Sequence, residues 1–151
     1  MNDHQLQSGI PEAGGAVRVA VAVPLRRLFD YLPPQDGPAP RPGTRGRVPF
    51  RGGQRVGVVV EVGVTPEVSP KRLRRVTAVL DEAPLWPPPL FDLLRWSARY
   101  YHHPEGEVFA AALPGALGHG GEPPEPPRLW RVTAAGGEVD PAGLARAPRQ
   151  R

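Results

Sequence analysis

The sequence predicts an α+β protein: a small, strongly curved antiparallel β-sheet or open barrel followed by two short helices, with a partial second domain and flexible termini. Three observations carry that reading. Period-two valine runs occupy the first half, at Val17, Val19, Val21 and Val23 and again at Val56, Val58, Val60 and Val62. The pattern turns helical after Asp81, in LFDLLRWSARYY. Finally, 22 Pro and 18 Gly in 151 residues leave a modest core with long irregular connections.

In chain order, residues 1–15 read as a flexible tail, without the basic and apolar segments of a secretory signal. The first strand spans 17–23 and runs through Pro24-Leu25 to the trio Phe29-Asp30-Tyr31, placed where the strand stops and the chain turns before Pro33 and Pro34. The loop LPPQDGPAPRPGTRG cannot be regular structure, because each of its prolines lacks a donor. A short strand at 47–50 follows, with Pro49 marking an edge or a bulge. Residues 51–54, RGGQ, form a hairpin turn into a strand at 55–62, where Gly57 signals a bulge or a close backbone approach. A last strand is expected over 74–80.

Pro87, Pro88 and Pro89 suit a helix entry. The helix beyond them is expected to bury Leu90, Leu93, Leu94 and Tyr101 on one face. A second short helix spans 105–113 and stops at Pro114-Gly115. Residues 118–127, GHGGEPPEPP, read as a linker. Leu129 to Thr133 is one more possible strand, and the rest has no core of its own.

Composition narrows the function. Zero cysteines exclude disulfides and thiolate metal sites. No apolar run approaches the roughly 20 residues of a membrane span, so a cytoplasmic protein is expected. Lys71 precedes Arg72 rather than Ser or Thr, so there is no GxxxxGK[ST] phosphate loop. His102 and His103 are adjacent and would diverge by about 100° on a helix, which disfavours shared metal ligation. Nothing looks catalytic. Between Arg18 and Asp81, eleven Arg and one Lys face five acids, a local +7 within a net +4. Such concentrated basicity suggests a polyanion, most often nucleic acid, against the alternative of a solvated surface in an Arg-preferring protein.

The trio Phe29, Asp30 and Tyr31 has two readings. Two flat rings beside one acceptor could grip a nucleobase by stacking and an edge hydrogen bond. Alternatively, the rings close a sheet end and Asp30 caps the turn.

The ordered series VAVPLRRLFDYLPP, GTRGRVPF, RVGVVVEV, LRRVTAVLDEAPLW and LLRWSARYYHHPEGEVFAAALP resembles the N-terminal region of the bacterial replication-restart helicase family PriA, over roughly residues 16–114. The resemblance implies a 3′-end DNA-binding domain over 16–117 that grips the terminal nucleotide of a nascent strand at a stalled fork. It implies that 128–151 is the incomplete start of a winged-helix domain. The family's zinc and ATP sites would lie outside this chain, so no cofactor is expected and the chain itself is not an enzyme. Carried over residue by residue, the resemblance implies a pocket of Phe29, Asp30, Tyr31, Gly52 and Arg74. Arg51 stands where the family has glycine after VPF, and Gly46 where it favours an apolar residue. Arg26, Arg27, Arg51 and Arg75 are candidate backbone contacts.

The expected partner is branched or single-stranded DNA with a 3′-OH end, with primosome or single-strand-binding proteins as further partners. Two other readings stay open: a non-catalytic protein-interaction module, and a non-functional truncated copy of a restart helicase.

Overall fold

Valine alternation in the first half of the chain becomes a single sheet. In the computed structural model, which describes residues 15–125, 129 and 131–138, five antiparallel strands run in the order β2-β1-β4-β3-β5. They are β1 (Ala16–Val21), β2 (Phe29–Tyr31), β3 (Arg45–Phe50), β4 (Gly53–Val64) and β5 (Ala78–Val79). Helices α1 (Pro88–Tyr100) and α2 (Glu105–Ala111) follow, then the single turns α3 (Gly115–Gly118) and α4 (Ala134–Gly137). The α+β class is the expected one.

The long strand β4 organises the sheet, pairing with β3 through its first half and with β1 through its second. Where the pairings overlap, Gly57 faces Val21 on one side and Gly46 on the other. A Cβ at Gly57 would lie 2.6 Å from Val19 Cγ1 and 2.8 Å from the Ala20 carbonyl oxygen, so it is the close approach that a glycine in a strand signals. The irregularity in register lies elsewhere, between Ala16 and Val19 of β1. At the β3–β4 turn, Arg51 and Gly52 have φ of 46° and 78°. Positive φ at both positions is what a two-residue type I′ hairpin demands. Pro49 sits beyond the end of β5, where β3 is an edge and a missing donor costs nothing.

The sheet is buried on both faces in the middle. One face holds Val17, Val19, Val21, Tyr31, Val48, Val59, Val76 and Val79. The other presents Ala20, Val58 and Val60 to Trp86, Phe91 and Phe109 of the helical layer. At roughly 1.5–3 kcal/mol for each fully buried valine-sized side chain, these two layers supply most of the favourable term. Val62, expected on one face of the strand with Val58 and Val60, is outside that layer and 43% exposed.

The segment expected as a strand over 74–80 divides its bonds between both edges of the sheet. Leu32 N–H donates to the Arg74 carbonyl at 2.9 Å, and Val76 N–H to the Leu32 carbonyl at 3.0 Å, beside β2. Thr77 N–H and Leu80 N–H then donate to Arg47 and Arg45 of β3. The two edges are thereby drawn together along a seam.

The helices dock by two devices. Gly106 of α2 lies so close to the Val21 carbonyl that a side chain there would overlap backbone. Arg45, fully buried, forms a double ion pair with Asp81 and donates to the Leu117 and Gly121 carbonyls at 2.6 and 2.8 Å. Arg45 thus holds Leu117, just before the expected linker, and Gly121, near its start, to the sheet, which sequence alone does not show.

The phase of α1 also differs from expectation. Phe91 and Ala98 are buried and Leu94 packs with them, whereas Leu90, Leu93 and Tyr101 are exposed. The Phe91–Phe109 contact, ring centroids 5.3 Å apart, and the Arg95 ion pairs set that phase. Leu129 and residues 131–133 carry no strand, and Leu129 is 90% exposed. Residues 1–14 of the tail expected over 1–15, and the chain over 139–151, lie outside the described residues.

Candidate nucleic-acid interface

Strand alternation decides how the trio is arranged. Phe29, Asp30 and Tyr31 are not a corner after a strand but are themselves β2, paired in register with Val19, Arg18 and Val17. Successive side chains of a strand point to opposite faces. The carboxylate is therefore not clasped between two rings: Phe29 and Tyr31 join the valine layer, and Asp30 faces the other way. All three nonetheless border one open cavity of about 270 Å³, because β2 is the edge strand. The volume is near the lower end of ligand pockets, enough for one base or sugar.

The opposite wall comes from the far side of the seam. Val68, Arg72, Leu73 and Arg74 line it, with Glu67, and Pro49 contributes from β3. Arg27 overhangs the Phe29 ring with its guanidinium carbon 4.9 Å from the centroid. Phe29 meets Phe50 edge-on at 5.1 Å, which fixes the ring's tilt.

Asp30 is held rather than free. Arg18 Nε donates to Oδ1 at 2.8 Å and Arg18 Nη2 to Oδ2 at 3.2 Å, while Glu67 N–H donates to Oδ2 at 3.0 Å. Partial burial would raise its pKa, but the Arg18 hydrogen bond, the Glu67 N–H and the Arg18 charge outweigh it, so Asp30 titrates below the ordinary carboxylate range. Three of its roughly four acceptor positions are used, leaving Oδ1 one more.

Tyr31 is 5% exposed and donates its hydroxyl to the Pro49 carbonyl at 3.3 Å. Burial pushes its phenol up to about 12, against a small opposing pull from Arg74. It is the floor of the cavity, not a stacking face.

The other expected residues separate. Arg74 lines the cavity. Arg75 is turned away, donating to the Pro33 carbonyl at 2.6 Å. Gly52 is at the hairpin tip and borders none of the described cavities. Arg51 reaches back over Phe50 at 5.6 Å. Arg26 belongs to a neighbouring cleft beside α1. Arg18, Arg72 and the Glu67–Val68 wall were missed. Arg18 alone had a signal, as the polar residue alternating with inward valines opposite an acid.

The residues from Arg18 to Pro114 match the PriA family model described as 3′DNA-binding domain (3′BD). The chain belongs to the PriA 3′ DNA-binding domain family. It is 41% identical over 121 residues to the replication restart protein PriA of Haemophilus influenzae, covering 80% of this chain and 16% of that protein. The same-named protein of Buchnera aphidicola subsp. Schizaphis graminum is 34% identical over 101 residues, 67% of this chain and 14% of that one. That of Chlamydia pneumoniae is 29% identical over 96 residues, 64% and 13%. The chain thus spans only 13–16% of the length of these PriA proteins. What it shares with them is a binding domain and not a helicase core. Among the described residues no helix is long and apolar enough to cross a membrane.

Proposed function

We propose that this chain binds the 3′-OH end of a DNA strand in the cavity between β2 and residues 67–74, and that it serves replication restart at stalled forks in the cytoplasm. The observation that carries the proposal is a held carboxylate inside a basic rim: Asp30, with one acceptor position left, beside Arg27, Arg72 and Arg74. An anion among cations is unhelpful for gripping phosphate alone. It serves a donor, and a terminal sugar hydroxyl is one.

In this reading Phe29, capped by Arg27, gives the base an apolar and cationic wall. Stacking of this kind is worth about 1–3 kcal/mol per base and tolerates every base, as a fork requires. Asp30 accepts the 3′-OH and repels a 3′-phosphate. Arg74 and Arg72 meet the last phosphodiester. Gly52, kept as a candidate by family resemblance, would act only through the position of the β3–β4 hairpin, and Arg75 through the seam. Primosome and single-strand-binding proteins are the further partners to test.

The test uses 5′-labelled strands that differ only at the 3′ end. The parent should bind a 3′-OH end more tightly than a 3′-phosphate end, and Asp30→Asn should lose that preference. Circular dichroism must show the variant folded. A parent that binds both ends equally would sink the reading and favour a protein-docking role for the domain.

A further inference from the structure

Of the arginines in the ordered domain, several are already neutralised. Arg18 pairs with Asp30, Arg45 with Asp81, and Arg95 with Glu61 and Glu105. Arg26, Arg27 and Arg99 have no carboxylate within ion-pairing distance among the described residues. These three converge on one cleft of about 280 Å³ between the β1–β2 connection and the C-terminal end of α1.

The one acid in that cleft, Glu105, is engaged by Arg95 Nε at 2.8 Å, which leaves the cleft strongly cationic. Arg26 is oriented by His102 Nδ1 at 3.1 Å, and His102 sits at φ 53° where the chain leaves α1. Arg27 and Leu28 line both this cleft and the β2 cavity. The two spaces share a wall.

We infer that this cleft is a second subsite, taking an internal phosphate of the same DNA strand whose 3′ end enters the β2 cavity. The inference rests on the 3′-end reading above and extends it to the helical layer, with Arg99 as the residue that sequence and family resemblance do not nominate. The strand crosses at Arg27, terminal nucleotide on one side and upstream phosphate on the other.

The experiment compares a 5′-fluorescein dinucleotide with an oligothymidylate of about ten nucleotides, both ending in 3′-OH, against the parent, Arg99→Gln and Arg55→Gln. Arg55 is exposed and borders neither space, so it reports the general field of one removed charge. Arg99→Gln should weaken the longer strand and make its log K against log[salt] shallower by about 0.7, the value of one phosphate contact on single strands. It should leave the dinucleotide's preference for 3′-OH over 3′-phosphate unchanged. Equal losses for Arg99→Gln and Arg55→Gln, or no loss for the longer strand, would overturn the subsite while leaving the 3′-end pocket intact. Loss of end preference in the parent itself would instead remove the pocket, and the subsite with it.

Discussion

Two arginine–aspartate pairs in this domain are built from the same groups and do opposite things. Arg45–Asp81 is sealed, with side chains 1% and 2% exposed, and Arg45 Nη1 donates to the Leu117 and Gly121 carbonyls. Asp81 also accepts the Arg45 backbone N–H at 2.7 Å. Arg18–Asp30 is 21% and 7% exposed, opens on a cavity, and keeps an acceptor position unused. The first pair is a clamp, whose worth lies in leaving no charge unanswered. The second is incomplete: Arg18 and the Glu67 N–H use three acceptor positions of Asp30 and one is left, the position that the proposed 3′-OH would take. On that proposal, saturation of hydrogen-bonding capacity, not the presence of an ion pair, separates the structural charge from the binding one.

The largest expected effect breaks the clamp. Arg45→Ala strands a buried carboxylate, which typically costs about 3–5 kcal/mol. Urea unfolding should show that loss, with weakened DNA binding only to the extent that the protein unfolds. A variant with parental stability would mean that water enters and solvates Asp81, so the pair is not sealed.

Asp30→Asn should cost less, about 1–2 kcal/mol, because Arg18 keeps solvent access and its contact with Glu61 at 3.5 Å. Its effect on end discrimination should exceed its effect on the unfolding midpoint. A stability loss equal to that of Arg45→Ala would make Asp30 a second clamp.

The smallest effect is in acid. The folded-state pKa of Asp30 lies below its unfolded value. Its contribution is therefore fully present above the unfolded pKa, about 3.9, and is lost as pH falls through the lower folded value. Between pH 5 and pH 2 the parent should lose slightly more stability than Asp30→Asn, which has no carboxylate to protonate there. Parallel acid profiles for the two proteins would remove the depressed pKa from the argument.

The elements legible in the sequence were those fixed by local pattern. Valine alternation located β1 and β4, the RGGQ turn located the hairpin and with it the short strand β3 before it, and the prolines before Leu90 located the start of α1. Legibility failed where distant residues decide. FDY is too short to announce itself as a strand, and only its pairing with β1 shows that Asp30 faces away from its neighbours' rings. Tyr31 read as a binding aromatic because sequence does not show that Pro49 would cap its hydroxyl. Arg18 and Arg45 were counted as surface charge, since their partners lie 12 and 36 residues on. Of the pocket residues implied by family resemblance, Phe29, Asp30, Tyr31 and Arg74 border one cavity and Gly52 does not; of the candidate backbone contacts, Arg27 borders it and Arg75 does not.

The seam at Leu32 and Arg75 makes the cavity a product of closure between two edges. One wall is β2 and the other is residues 67–74, and the backbone bonds that Leu32 exchanges with residues 74 and 76 hold the two opposite each other. The β1–β4 and β3–β4 ladders use none of the second wall. A polypeptide ending before residue 67 would therefore keep the partners of the valine sheet and carry the FDY strand with nothing facing it.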